Sequence, residues 1–325
     1  MKGLLKEECY AELMGKIAEP YLDARGGSEY TQREAGKKIH YLRYMTEEPK
    51  AVVLVSHGFT EFAEKYKEIL YYFLKEGFHV YMPEHCGHGK SYRLTEDPSL
   101  VHVDHFQRYV EDLYHITEII QREQPDLPIY LYGHSMGGGI AAATAAMHPK
   151  AYQKVILTSP MIRPLTGGIP WGLTKLIDGV MCGIGKAQSY VPGAHPFTGP
   201  EKFETSASTS RARFQYYVDK QAADVDYHTC AASYGWLGEA IRLNTYLQKE
   251  GYRKIEAPVL LIQAGQDYFV SNEQQKLFIQ KMKDLKKKAE ITMFQDTKHE
   301  IFNAVDAVAG EYWNKVFDFL TEENV

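Results

Sequence analysis

The stretch Ile129-Tyr-Leu-Tyr-Gly-His-Ser-Met-Gly-Gly-Gly139 constrains this chain more than any other. Its apolar start, Ile129 to Tyr132, predicts a short buried strand, and the small, Pro-free run Gly138 to Met147 predicts a helix. Between them, Gly133-His134-Ser135-Met136-Gly137 fits G-x-S-x-G, a pattern common by chance but meaningful on a turn from strand into helix. Such a turn drives its central residue into strained backbone and requires small neighbours. Ser135 would then stand at the end of a strand, with the Met136 amide at the helix start facing any oxyanion formed beside it. The pattern therefore predicts a nucleophilic serine rather than a plain glycine-rich turn.

The rest of the chain supplies a sheet for that strand. Ala51-Val-Val-Leu-Val-Ser56 is a continuous apolar run, as expected of a strand covered on both faces. Gly77 to Met82, Lys154 to Thr158, Pro258 to Ile262 and Glu290 to Phe294 read as further strands, and the alternating Lys38 to Tyr44 as an edge strand. Helical spacing falls between them, for example at Tyr66, Ile69, Leu70, Phe73 and Leu74. Alternating strands and helices predict one doubly wound α/β domain. From 160 to 246 the alternation stops, over a length too great for a loop, which predicts an inserted subdomain with helices near 211–217 and 236–247. The expected division is a polar, partly helical lead-in packed on the surface (1–34), a core (35–159 and 247–325) and a cap or lid (160–246).

A serine hydroxyl needs a base to take its proton and an acid to orient that base. In an open α/β sheet such groups collect at the carboxyl ends of strands. Asp267 follows the strand 258–263 and His299 follows the strand 290–294. The order Ser, Asp, His is that of one triad fold and not of the others. A capping or turn role is the plainer alternative for Asp267. His299 is one of thirteen histidines, singled out by its place after the last strand. Asp296 lies only three residues from this base and would struggle to reach it from behind. The turn Ser56-His57-Gly58-Phe59 after an earlier strand offers the Phe59 amide as a second oxyanion donor beside that of Met136.

Composition narrows the partners. With 325 residues, 44% hydrophobic, the chain can bury one large core and an appended subdomain. Lys and Arg number 37 and Asp and Glu 42, a net charge of −5 that gives no reason to expect nucleic acid. No apolar run reaches the roughly 18 residues of a spanning helix. The charged start Met1-Lys-Gly-Leu-Leu-Lys-Glu-Glu-Cys9 does not read as a signal peptide. Four scattered cysteines (9, 86, 182 and 230) read as free thiols and point to the cytoplasm. His57, His85, His88 and His134 match no ligand spacing, so no metal and no cofactor is expected.

Together, His57-Gly58, Gly87-His88-Gly89-Lys90-Ser91, Gly133-His134-Ser135-Met136-Gly137-Gly138, Gly265-Gln266-Asp267 and His299-Glu300 resemble the serine-hydrolase group of monoacylglycerol lipases and lysophospholipases. The bacterial lysophospholipase L2 branch is a closer match. Gly87 to Leu100, His102-Val-Asp104 and Phe106 support it, as do Thr209 to Phe214, Tyr227 and Trp236 in the cap. The likeness covers about residues 35–320. It implies an α/β-hydrolase fold with a mostly parallel eight-stranded sheet flanked by helices, a helical lid, and hydrolysis of single-chain acyl lipids. Ser135, Asp267 and His299 match the family's catalytic positions. At Glu84-His85-Cys86 the chain departs from the family's usual Asp-x-Arg, which leaves the bracing of that loop open.

Substrate contacts are expected from His57, Gly58 and His134 around the nucleophile and from Trp171 and Leu173 in the insertion. The apolar side chains at 169–184 would line an acyl pocket or form the insertion's own small core. Arg211 and Arg213 could meet a phosphate head group, although a solvated helix face is the plainer reading. Cys86 reads as an idle thiol. The expected activity is a serine carboxylic-ester hydrolase acting on a small-molecule ester with an acyl chain, with transient membrane-surface contact through the lid. A short-chain carboxylesterase or thioesterase stays open, as does a catalytically idle ligand-binding protein. A peptidase would need a site for a free amino terminus, and no obvious acidic cluster in the lid provides one.

Overall fold

The computed structural model describes residues 3–322. Its strands are β1 (Gly26–Glu34), β2 (Lys37–Tyr44), β3 (Ala51–Ser56), β4 (Phe78–Pro83), β5 (Leu100–Val101), β6 (Ile129–His134), β7 (Lys154–Thr158), β8 (Ala231–Ala232), β9 (Val259–Ala264) and β10 (Ala289–Phe294). Its helices are α1 (Tyr10–Leu13), α2 (Glu19–Asp23), α3 (Lys67–Lys75), α4 (Gln107–Glu123), α5 (Met136–Met147), α6 (Trp171–Gly183), α7 (Arg211–Ala223), α8 (Tyr234–Tyr246), α9 (Tyr252–Lys254), α10 (Asn272–Asp284) and α11 (Asp306–Thr321). Eight strands form one sheet in the order β1-β2-β4-β3-β6-β7-β9-β10. Only β2 runs antiparallel to its neighbours, and the five remaining pairings are parallel.

The apolar strands are covered on both faces because their side chains alternate between two cores. Val52 and Leu54 of β3 share one core with Leu113 and Ile116 of α4 and Ile140 of α5. Val53 and Val55 share the other with Phe73 of α3 and Trp313 of α11. Each such side chain contributes roughly 1.5–3 kcal/mol by leaving water. The run of alanines in α5 lets that helix lie close against the sheet, with Met136 to Ala146 all buried.

Two expectations for the amino-terminal region are corrected. Residues 26–34 form β1, paired with β2 from Gly26↔Tyr44 to Glu34↔Lys37, so the 37–44 strand is internal rather than an edge. No β1 side chain is buried, and the strand therefore carries no hydrophobic alternation to read. It is held by the backbone ladder and by Arg33, whose guanidinium meets Asp112 at 2.9 Å and Glu111 at 2.7 Å on α4. Ahead of it, Leu5, Tyr10, Met14 and Leu22 are part of the core beside α3 and α11, not a surface wrapping.

Residues 160–246 leave the sheet after β7 and return to it at β9, carrying α6, α7 and α8. β8 pairs in parallel with β5, tying this excursion to the loop after β4. The apolar patch at 169–184 takes neither of its expected roles. On α6 only Thr174 and Asp178 are buried, whereas Ile169, Leu173, Leu176, Val180 and Ile184 stand exposed on one face. Among the described residues, no helix is long and apolar enough to cross a membrane.

Candidate active site

The parallel register sets the strand ends level: Ser56 lies beside Gly133, His134 beside Thr158, and Ala264 beside Phe294. Ser135 sits at the end of β6 with φ 53° and ψ −121°, a costly conformation for a residue with a side chain. Close approach explains the flanking glycines. A Cβ on Gly137 would stand 2.2 Å from the Ser56 carbonyl oxygen, and one on Gly133 would stand 2.6 Å from that of Gly137. Backbone bonds from Ser135 N to Thr158 O (3.0 Å) and from Met161 N to Ser135 O (2.7 Å) hold the turn. Thr60 (φ 58°) and Ser159 (φ 42°) are strained on the same sheet edge.

The structure brings together the three residues expected to carry the chemistry. His299 Nε2 lies 2.7 Å from Ser135 Oγ, and His299 Nδ1 lies 2.6 Å from Asp267 Oδ2. Asp267 Oδ1 accepts the amides of Phe269 (2.9 Å) and Val270 (3.1 Å), which orients the carboxylate. Ser159 Oγ donates to the His299 carbonyl (2.8 Å) and anchors the loop from behind. A carboxylate at Nδ1 keeps the proton there and leaves Nε2 free to accept the serine proton. Among the described residues, no backbone–backbone bond takes up the Phe59 or Met136 amide.

Behind the nucleophile lies a layer of buried histidines. His57 donates from Nδ1 to the Gly58 carbonyl (2.8 Å) and accepts the His85 amide at Nε2 (2.9 Å), a pairing that needs the neutral ring. His85 Nε2 meets Ser56 Oγ at 2.8 Å. Glu84 supplies the bracing left open by the missing Asp-x-Arg. Its carboxylate meets His40 Nδ1 (2.7 Å) and accepts the amides of Ala63 (2.7 Å) and Lys90 (2.6 Å). The thiol of Cys86, buried in the same loop, is pushed up to about 12 by burial, so it stays protonated and idle.

Burial lowers the pKa of His57, His85, His88 and His134 below the usual imidazole value. In Glu84, burial pushes the carboxyl up, but the His40 bond and charge and the two amides outweigh it and leave it low. The unfolded chain therefore binds more protons than the folded one as pH drops below about 6.5, the unperturbed histidine value. Stability should fall by up to about 1.4 kcal/mol per pH unit for each of the four histidines, and further as Glu84 protonates at lower pH. A thermal melt series from pH 7.5 to 5.0 should show a steadily falling Tm. A flat series would mean that the four rings protonate as readily folded as unfolded.

Ser135 and His299 open into a cavity of about 590 Å³. One side is apolar, with Phe59, Met161, Leu165, Trp236, Phe269 and Val270. Of the residues expected to touch substrate, only His134 lines this space. His57 and Gly58 lie behind it, with the Gly58 amide taken by Glu61 (2.5 Å). Trp171 and Leu173 do not line it: Leu173 is exposed on α6, and the Trp171 ring lies under Arg163 and Lys175. Met136 borders a small adjoining void together with Met161 and Trp236. Arg213 is not a head-group ligand either. It is buried against Glu68 and Asp306, while Arg211 pairs with Glu204 on the surface.

Sequence reasoning missed the polar side of the cavity, made by Glu61, Lys65, Glu201, Tyr217 and Glu300. Lys65 and Glu61 sit in an apolar-patterned segment before α3, and nothing local marks them. Glu201 comes from the insertion, so an acidic group from that segment does reach the site. No group of three His, Cys, Asp or Glu able to hold a metal occurs among the described residues.

A mostly parallel eight-stranded sheet, a strained serine between strand and helix, and an aspartate and histidine on later strand ends define an α/β-hydrolase. The chain belongs to the serine aminopeptidase, S33, family, whose pattern matches residues 47–306. It is 26% identical to lysophospholipase L2 of Escherichia coli K12 over 300 residues, covering 88% of this chain and 85% of that protein. It is 38% identical to monoglyceride lipase of Mus musculus over 114 residues, 35% of this chain and only 36% of that lipase. Among solved structures, a monoglyceride lipase from Saccharomyces cerevisiae superposes with a TM-score of 0.71 at 18% identity, covering 91% of this chain and 95% of that one. A carboxyl esterase from Bacillus coagulans gives 0.74 at 20% identity, covering 91% and 98%. At these identities the structural likeness speaks for the fold.

Proposed function

We propose that this protein is a serine carboxylic-ester hydrolase that works through an acyl-enzyme on single-chain acyl lipids, either lysophospholipids or monoacylglycerols. The observation carrying this reading is the Ser135–His299–Asp267 hydrogen-bond chain opening onto a cavity with one apolar side. Ser135 Oγ attacks the ester carbonyl while His299 Nε2 takes its proton, and Asp267 holds the resulting imidazolium. The amides of Phe59 and Met136 stabilise the oxyanion, each worth about 3 kcal/mol of barrier. His299 then protonates the departing alcohol, and a water activated by the same base releases the fatty acid.

The acyl chain lies along Phe59, Met161, Leu165, Phe269 and Val270, where each buried methylene contributes roughly 0.8 kcal/mol. Nitrophenyl esters from acetyl to hexadecanoyl should show kcat/KM rising severalfold per two carbons and then levelling as the cavity fills. A maximum at acetyl would favour a short-chain esterase instead. Residues 160–246 act as the cap over the site. The exposed apolar face of α6 supports transient contact of this cap with a lipid surface. Four free cysteines support a reducing, cytoplasmic setting.

A further inference from the structure

We propose that the polar side of the cavity is a subsite for an organic ammonium carried on the leaving alcohol of the ester, with Glu201 as the residue that reads it. This deepens the ester-hydrolase reading and rests on it. The wall starts at the catalytic base, since Glu300 follows His299 in the chain, and the departing alcohol must lie beside that base to receive its proton. An alkyl chain prefers the apolar lining residues.

The charges on this wall do not balance. Lys65, side chain 6% exposed, gives its ammonium to Glu300 Oε1 at 2.5 Å and Glu61 Oε1 at 2.9 Å, and rests 4.2 Å from the centre of the Tyr217 ring. Asn303 Nδ2 takes the other oxygen of Glu300 at 2.8 Å. With that, the only cation of the wall is fully engaged. Glu201 has one hydrogen bond, accepted from the Tyr217 hydroxyl at 3.0 Å, and no cationic partner among the described residues. Three carboxylates facing one ammonium leave an uncompensated negative charge inside a lidded cavity, where attraction for a cation exceeds its value in bulk water.

A second observation points to a missing ligand. The His134 ring, 1% exposed, lines the same space. Its Nδ1 has no hydrogen-bond partner among the described residues, and its Nε2 stops 3.9 Å from Glu61 Oε1, beyond hydrogen-bond reach. A buried ring nitrogen without a partner is costly, and an ester oxygen of a bound substrate would supply the polar atom that a quaternary ammonium lacks. Glu201 comes from the insertion, whereas Lys65, Glu61 and Glu300 come from the core. The reading of the head group is thus a joint property of cap and core.

The test uses the full chain and matched pairs. Dodecanoylcholine should be turned over with a kcat/KM about tenfold above its uncharged carbon isostere, 3,3-dimethylbutyl dodecanoate. In Glu201→Gln that ratio should drop to near one through the choline ester alone, and in Glu201→Asp it should largely persist. Equal rates in the wild type, or equal slowing of both esters by Glu201→Gln, would overturn the proposal. Faster cleavage of leucine nitroanilide than of the choline ester would place the ammonium on the acyl side and overturn the leaving-group assignment. Nitrophenyl dodecanoate turnover reports separately on the ester-hydrolase reading. Calorimetry covers a protein without turnover: dodecyltrimethylammonium should bind about tenfold tighter than dodecanol in the wild type and no tighter in Glu201→Gln. Equal affinities would sink the subsite whatever the reaction.

Discussion

Replacement of Ser135 by alanine is expected to abolish labelling by a fluorophosphonate probe and to lower kcat for a nitrophenyl ester by a factor on the order of 10⁴ to 10⁶. The phosphonate needs an activated nucleophile, and among the described residues Ser135 Oγ is the hydroxyl in hydrogen-bond reach of His299 Nε2, at 2.7 Å. Folding should be untouched, because alanine at this position keeps the same strained backbone and removes one oxygen. Asp267→Asn should leave the fold intact and still lower kcat about 10⁴-fold, since an amide no longer holds the tautomer that leaves Nε2 free. Labelling that survives Ser135→Ala would locate the nucleophile elsewhere. Unchanged turnover in Asp267→Asn would remove that residue from the relay.

Arg213→Met should be the most damaging single change to stability outside the elbow. The Arg213 guanidinium is fully enclosed and binds Glu68 Oε2 at 3.1 Å, Asp306 Oδ1 at 3.1 Å, and the carbonyls of Leu5 and Ala304 at 2.8 and 3.1 Å. Tyr10 and Tyr72 add their hydroxyls to the same Glu68 carboxylate. Four parts of the chain meet there: the amino-terminal segment, α3, α7 and the start of α11. Removing the cation strands Glu68 in the interior, at a cost of about 3–5 kcal/mol. Calorimetry should show Tm falling by roughly 4–8 °C. Adding Glu68→Gln to Arg213→Met should recover part of the loss, because the stranded charge is gone. A single variant within about 1 kcal/mol of the parent would show that this network adds no stability.

These two sites differ in how far they could be read before folding. Ser135 is legible because the elbow is a local object. The strand, the glycines and the start of the helix all lie within the eleven residues from Ile129 to Gly139, and the backbone geometry of the turn dictates the sizes of the flanking residues. Asp267 and His299 are legible from topology, since parallel strands deliver their ends to one edge. Arg213 was not legible. Beside Arg211 on one helix it could equally have faced solvent, and only the arrival of Glu68, 145 positions away, turns it inward. The apolar run on α6 failed in the opposite direction. Its periodicity is that of a helix face, but what covers a face is decided by neighbours, and here it is left exposed.

The edge strand β1 shows a further limit of pattern. Its side chains are nowhere buried, and it is held by a backbone ladder and by the ion pairs of Arg33, neither of which leaves a hydrophobic pattern. By itself, the sequence determined the layered α/β order, the nucleophile, and the acid and base that follow it, because each depends on local periodicity or on strand order. Tertiary structure alone decided the substrate side of the site. The apolar and polar walls, the paired Lys65 and the unpaired Glu201 come from distant segments, Lys65 and its partner Glu300 lying 235 residues apart, and charge compensation depends on distances that no spacing along the chain can state.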